Sequence, residues 1–538
     1  MICRSKPFWI CCILLLFYTF NPNLSAQLQA KPENLTGNDR AHHGKKIIPD
    51  RFHRGSAAYE ISGGMWRVDH SFESRLQIKN HIQLAAISAT PVLFMADGTE
   101  YVLPAVNLEP SGVTSLSINM ALQNAPQEIV RHLSDFGSVA IRYNWNWPGA
   151  LDASAQSIDA PRSLIFVSPL VGGMHQEPWR KHVQHREMQQ TLEGLWWKHD
   201  PDVGGFIALS NTSQNELSVA LRASAAKRTD GLSQRSISVC AHCTQMLDLG
   251  ELLLDLPQGA AQGGVRISYK GMPNSLAITA GLENANEGFS AGIRFKVIHD
   301  PASTLPAKVS PQMFAGVGIM VGDPDPMMMF PSGTRFTPYA VLHNTSQRTL
   351  TVTPSLNYMD ASGPRTLPLP AIDLGALESR QLDLPSLLAA QGMAKFNGSI
   401  NLSLAYSGAV NDLLAALGSV DQKGTYVFEV EARRVAPGAA TSVNYWNLND
   451  GNDTMITLWN PAAQDEDLLV TLYFMGGHYK IPVHLAAGAS TGFNISEVIM
   501  ARHTDPDGNH IPSFIRQGSA VISSAQSFLN QKIQSPLS

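Results

Sequence analysis

Four short apolar strands, each closed by an asparagine, recur along this 538-residue chain, and that repeat constrains the fold more than any other feature. The segments RLQIKN, FIALSN, YAVLHN and MITLWN end at Asn80, Asn211, Asn344 and Asn460, spaced 131, 133 and 116 residues apart. Each is a short, mostly apolar strand, and apolar and polar positions alternate most clearly in RLQIKN, as in a half-buried strand. The period is domain-sized and too long for a solenoid. A second landmark keeps step with the first. Each copy has an apolar pair at i and i+2, and a second such pair starts eight residues after it. The pairs are Val106/Leu108 with Leu116/Ile118, Ile237/Val239 with Leu247/Leu249, Ile372/Leu374 with Leu382/Leu384, and Val483/Leu485 with Phe493/Ile495. Joined by connections such as EPSGVTS and AAGASTG, they read as two strands and a turn.

Three copies add a glycine-led strand ending in tyrosine: GSVAIRY at 137–143, GVRISY at 264–269 and GSINLSLAY at 398–406. A closing strand follows each. The fourth copy starts the same way with GSAVISS at 518 but shows no clear closing strand, so its last sheet is expected to be incomplete or completed by another chain. Short strands separated by Gly, Pro, Asn and Asp predict an all-β fold, a tandem array of four immunoglobulin-like β-sandwich domains with one short interdomain helix. Small antiparallel barrels are the alternative. The expected divisions are a signal peptide over 1–26, a flexible lead over 27–60, and repeats over 61–170, 196–300, 334–436 and 437–538. Between them lie a helical linker over 171–195, where Pro178, Trp179, Val183, Leu192 and Leu195 fall near helical spacing, and a Pro-rich linker over 301–333.

The NTS and NPA turns after the asparagines, the V-x-L strands and the later hydrophobic pairs resemble those of bacterial secreted and cell-surface proteins built from immunoglobulin-like, adhesion-type β-sandwich repeats. The resemblance covers most of the chain beyond the signal. It implies a fold and a location and carries no catalytic residue.

Hydrophobic residues make up 44% of the chain and charged residues 15%, a balance that supports packed cores. The net charge of -5 offers no electrostatic footprint for nucleic acid. Arg4, Lys6, the apolar run Phe8 to Phe20 and Leu24-Ser25-Ala26 read as an export signal. The expected location is therefore secreted, periplasmic or cell-surface, with no membrane insertion once the signal is cleaved. Retention of the signal as an anchor is the alternative.

Beyond the signal only Cys240 and Cys243 remain, in Cys-Ala-His-Cys. Such a pair can form a local disulfide, a redox couple or half of a zinc site. It falls in the repeat's turn, which offers no helix N-terminus to stabilise a thiolate, so a structural disulfide is expected. His182 and His185, at i and i+3, are weak metal candidates, with a solvated helix face as the plainer reading. Trp145 and Trp147 alternate in YNWNWP and would share one face, either stacking on a sugar or protein partner or filling the core. Asn-x-Ser/Thr occurs at Asn211 and Asn344, where a turn after the strand is the simpler account. G-x-S-x-G occurs as GFSAG at 288–292 and GASTG at 488–492, in a closing strand and a repeat turn and not at a strand-to-helix elbow, and there is no phosphate-cradling loop or H-E-x-x-H.

The expectation is thus a non-catalytic exported protein with a structural or adhesion role, no cofactor, and a protein or glycan partner at the cell surface. A carbohydrate-binding protein using Trp145 and Trp147 is one alternative. A redox or metal-binding protein using Cys240 and Cys243 is the other.

Overall fold

The computed structural model describes residues 57–82, 84–145, 149–172, 187–198, 200–226, 232–257, 259–299, 309–324, 332–423, 427–431, 433–434, 443–448 and 454–524. The described chain is all-β with five short helices, and its eight sheets fall into four successive pairs. The first three pairs each set a five- or six-stranded sheet against a four-stranded one, and the fourth sets four strands against two. Every strand pairing is antiparallel, which allows one face of each sheet to meet a core while the other is free for different contacts.

In the first pair, Leu76 and Ile78 of Glu73–Asn80 meet Val139 and Ile141 of Phe136–Trp145 in one apolar cluster. The strands corresponding to Glu73–Asn80 are Gly204–Asn211, Phe336–Asn344 and Met455–Trp459. Each is central to its copy because the asparagine at or just after its end is a buried pin. Asn211 Nδ2 donates to the carbonyls of Asn215 (2.7 Å), Val239 (3.0 Å) and Cys240 (2.9 Å), while its Oδ1 accepts from the Ser213 N–H at 2.9 Å. Asn344 repeats this with Arg348, Leu374, Gly375 and Ser346. Asn80 does so with Ala85, Leu108, Glu109 and Ile82, and Asn460 with Gln464, Leu485, Ala486 and Ala462.

The second landmark proves to be an arch instead of a hairpin. Val106–Leu108 belongs to the larger sheet and Val113–Ser117 to the smaller one, and the other copies cross likewise. Beneath each arch sits the pin. The four turns are 109–112, 240–243, 375–378 and 486–489, each closed by a bond from the fourth N–H to the first carbonyl. Their third residues, Ser111, His242, Leu377 and Gly488, all have positive φ. After the arch comes a five-residue or shorter strand and then a short helix, so Ile118, Leu249, Leu384 and Ile495 end the apolar pairs as buried helix or cap-adjacent residues.

The described parts of two expected linkers are largely strand. The predicted helix over 171–195 is not found at its described end: Met188–Trp197 is a strand, central in its sheet between Gln262–Gly271 and Phe295–Val297. Leu192 and Leu195 followed helical spacing by coincidence, and the long ladder with Gln262–Gly271 decides the backbone. Residues 173–186 lie outside the described residues. Ser310–Val321, inside the supposed Pro-rich linker 301–333, is the strand that pairs with Gly398–Gly408.

The sheet pairs do not hang as a string. The first strand of each larger sheet lies against the smaller sheet of the following pair: Ala57–Arg67 against Gly204–Asn211 and Leu276–Asn284, Met188–Trp197 against Phe336–Asn344 and Leu413–Asp421, and Ser310–Val321 against Met455–Trp459. The last pair then returns to the first. Tyr445 donates its hydroxyl to the Asp152 carbonyl at 3.1 Å, and the Lys79 ammonium sits 5.8 Å from the Tyr473 ring centroid. Contacts of one kind, larger sheet to next smaller sheet, thus run head to tail and close on themselves.

Removing a pin orphans buried carbonyls that water cannot reach. Asn344→Ala should cost about 3 kcal/mol. Asn344→Asp should cost at least as much, because a carboxylate has no N–H to offer. Denaturant unfolding checks both, and a loss below about 0.5 kcal/mol would mean that the arch holds without its pin.

Candidate functional site

Cys240 and Cys243 occupy the first and fourth positions of the second copy's arch turn. A turn of this kind brings those two Cα atoms together. Here they are 5.2 Å apart with the sulfurs at bonding distance, within the range a disulfide spans. Cys240 is exposed and Cys243 buried. The Asn211 side chain holds the Cys240 carbonyl, and the Asn211 N–H donates to the Cys243 carbonyl at 2.9 Å. The same turn docks on the preceding sheet pair. His242 stacks on Phe94 with centroids 4.7 Å apart, and the Thr244 N–H donates to the Ala96 carbonyl at 3.1 Å. Burial, opposed by the Glu60 and Glu100 carboxylates, lowers the His242 pKa, which favours the neutral, stacked ring.

The other sequence candidates are not gathered around this turn. Trp145 ends its strand opposite Ala57, half-buried against the first core, on the same side as the buried Tyr143. Trp147, His182 and His185 lie outside the described residues. Among the described residues no group of three or more His, Cys, Asp or Glu could hold a metal ion, and no helix is long and apolar enough to cross a membrane.

A polar cluster that sequence reasoning passed over lies where the second and third sheet pairs meet. His343 Nδ1 is 2.7 Å from Ser379 Oγ, and His343 Nε2 is 3.0 Å from Glu193 Oε1. Arg266 donates to Glu193 Oε2 at 2.5 Å and 3.0 Å, and reaches the Thr345 carbonyl at 3.0 Å. Ser, His and Glu so linked resemble a hydrolytic relay. Yet His343 is 0% exposed, Ser379 and Glu193 are each 3% exposed, and the backbone of Ser379 is tied to Ala226 and Gln262. A substrate has no approach, so the geometry is that of a clamp. Burial alone would raise the Glu193 carboxyl, but the hydrogen bond from His343 and the charges of His343 and Arg266 outweigh it and hold the pKa below 4.5. The available signal was a histidine just before the pin in YAVLHN.

Lys79 stands at the same position in RLQIKN, and it is 2% exposed. Its cross-strand neighbour is Asp152. Burial pushes the Lys79 pKa down to about 7, with Asp152 opposing, and burial pushes Asp152 up to about 6 against the pull of Lys79. Burial and the Lys79 charge bring His81 down to about 3. Such shifts mark functional candidates, but they also mark buried junctions. Here the groups face Tyr473 and Tyr445 of the fourth sheet pair.

Two pH effects follow. Glu193 has a folded pKa below its unfolded value, so its contribution is complete above about pH 4.5 and is lost as pH falls through the folded value. Glu193→Gln should destabilise the clamp by about 3 kcal/mol at neutral pH and flatten the acid limb, read by hydrogen exchange in Met188–Trp197. Lys79 behaves oppositely: its folded state sheds the proton near pH 7 and the unfolded chain near 10.5, so stability should rise with pH across that window. In Lys79→Met that rise should vanish; an unchanged rise in melting temperature would assign it elsewhere. No protein-family model matches the chain, and a search of curated proteins returns no match.

Proposed function

We propose that this is an exported, non-catalytic binding or structural protein of the cell envelope or exterior, whose four immunoglobulin-like sandwich units form a scaffold for surface recognition. One observation carries the reading: the groups best suited to chemistry are consumed in holding the sheet pairs together. Ser379, His343 and Glu193 are sealed in a clamp, and Lys79 and Asp152 lie in the junction that returns to the first sheet pair. The repeated arches keep one conformation over four different turn sequences, as expected when loops are free to vary on a constant frame. An oxidising location is supported by the geometry of Cys240 and Cys243, which we read as a structural disulfide.

The test uses the chain from residue 27, presented to a glycan array and to surface-tethered envelope proteins, with metal analysis of the same sample. The reading expects saturable binding to one surface component, no stoichiometric metal, and binding that survives Cys243→Ser. Loss of glycan binding in Trp145→Ala would move the assignment to a carbohydrate-binding protein. One metal per chain, lost in Cys243→Ser, would overturn it in favour of a metal site at the turn. As a disulfide closing a very short loop, the pair should contribute about 2 kcal/mol, so Cys243→Ser should lower the unfolding midpoint in the absence of reductant only.

A further inference from the structure

The four arch turns share one backbone, closed by the same bond from the fourth N–H to the first carbonyl, with positive φ at the third residue. Three of them, EPSG at 109–112, GALE at 375–378 and AAGA at 486–489, do this without cysteine. A bond between Cys240 and Cys243 is therefore not what forms the turn. Its place in the assembly points to another task.

The second and third turns each dock on the preceding sheet pair through the N–H that follows them. Thr244 donates to the Ala96 carbonyl at 3.1 Å and Ser379 to the Ala226 carbonyl at 2.7 Å. The two joints are secured differently. At the third turn, His343 is the cross-strand neighbour of Ser379 and reaches Glu193 of the second sheet pair at 3.0 Å. At the second, the corresponding neighbours are Ser210 and Thr244, whose hydroxyls lie 3.0 Å apart within one sheet pair. Here the turn itself makes the contact. His242 stacks on Phe94, and the hairpin turn at 95–99 fits so closely that a Cβ on Gly98 would lie 2.6 Å from the Ala241 carbonyl oxygen and 3.3 Å from Cys243 Sγ. That hairpin is held from its own side. The Ala96 N–H donates to Ser134 Oγ at 2.9 Å, and Asp97 accepts from the Thr99 N–H at 2.9 Å and lies 2.8 Å from His132 Nδ1. A fixed socket thus receives a turn whose shape one covalent bond can change.

We propose that Cys240 and Cys243 form a redox-sensitive fastener of the joint between the first and second sheet pairs, released by a dithiol reductant and remade by exchange with a disulfide oxidant. The inference rests on reading the two cysteines as a disulfide. Cys240 is exposed and Cys243 is buried beside Gly98, so attack comes at Cys240. A reductant thiolate bonds to Cys240 Sγ, the protein S–S bond breaks, and Cys243 leaves as a thiolate that takes up a proton. The reductant's second thiol, giving up its proton, attacks its own sulfur in the mixed disulfide and releases Cys240 as a thiol. The protein has gained two electrons and two protons, and the reductant has become a cyclic disulfide. The two sulfurs must then separate from bonding distance to van der Waals contact. With the hairpin behind Cys243, Cys240 moves outward with the turn and loosens both the His242 stack and the Thr244 bond. The effect is local, because Arg67 still reaches Glu283 at 3.4 Å and Ser168 still bonds Thr279 elsewhere in the junction.

The probe is dithiothreitol, added to the chain from residue 27, with thiol counting, amide exchange and an NMR titration of His242 on each sample. Release of so short a loop should speed exchange at the Thr244 amide about twentyfold and leave the Ser379 amide unchanged. The His242 pKa, lowered by burial in the docked turn, should move up toward the ordinary 6.5. Both changes should reverse with oxidised glutathione, and Cys240→Ser combined with Cys243→Ser should show the reduced behaviour with or without dithiothreitol. If reduction frees two thiols while Thr244 exchange and the His242 titration stay as they were, the joint is independent of the bond and the proposal fails, although the disulfide stands. Equal acceleration at Ser379 would mean general loosening and defeats it too. Two free thiols in the untreated chain would remove the disulfide reading and the proposal with it.

Discussion

One side-chain amide in each repeat does what no apolar contact could. The pin asparagine faces carbonyls from its own turn and from the arch that carries the chain between sheets, and it satisfies them where water is excluded. An amide is suited to this because it offers two N–H donors and an acceptor from one planar group. An aspartate lacks the donors, and a glutamine is a methylene longer in a close-packed interior. With the amides of Asn211 and Asn344 committed in this way and each residue no more than 1% exposed, their Asn-x-Ser motifs are structural features of the turn.

From the pin the arrangement propagates outward. The residue just before it differs in every repeat, as Lys79, Ser210, His343 and Trp459, and Lys79 and His343 reach a neighbouring sheet pair. Each meets a different environment. Lys79 meets aromatic rings and a carboxyl, and His343 a glutamate and a serine. The cores share one plan while the junctions are individual, so identical units cannot exchange places in the head-to-tail cycle. Buried charge is a poor source of stability in itself, but it discriminates strongly against a wrong partner that leaves it unpaired. Apolar contact then fills the remaining area, as where Trp197 lies 4.3 Å from Tyr339 by ring centroids.

The bulges show the same economy of design. Gly63 and Gly318, both with positive φ, let the first strands of the first and third larger sheets approach the next sheet pair. The corresponding strands Met188–Trp197 and Val443–Asn447 pair without a register shift. The first and third junctions are therefore built alike in this respect.

What the sequence alone determined is local and periodic: the all-β class, the four copies, the pin positions and the strand pairs around each arch. Those follow from alternation and turn chemistry, which neighbouring residues encode among themselves. Long-range pairing decided the rest. Leu192 and Leu195 read equally well at helical spacing until the ladder with Gln262–Gly271 extended them, and no local pattern distinguishes an arch between sheets from a hairpin within one. The Glu193–His343–Ser379 clamp was illegible for the same reason, since His343 and Ser379 are cross-strand neighbours within the third sheet pair and Glu193 reaches them only when the second and third pairs dock. Residues in contact across a junction leave no period in the sequence, because their spacing is set by the fold instead of by the backbone repeat of one element.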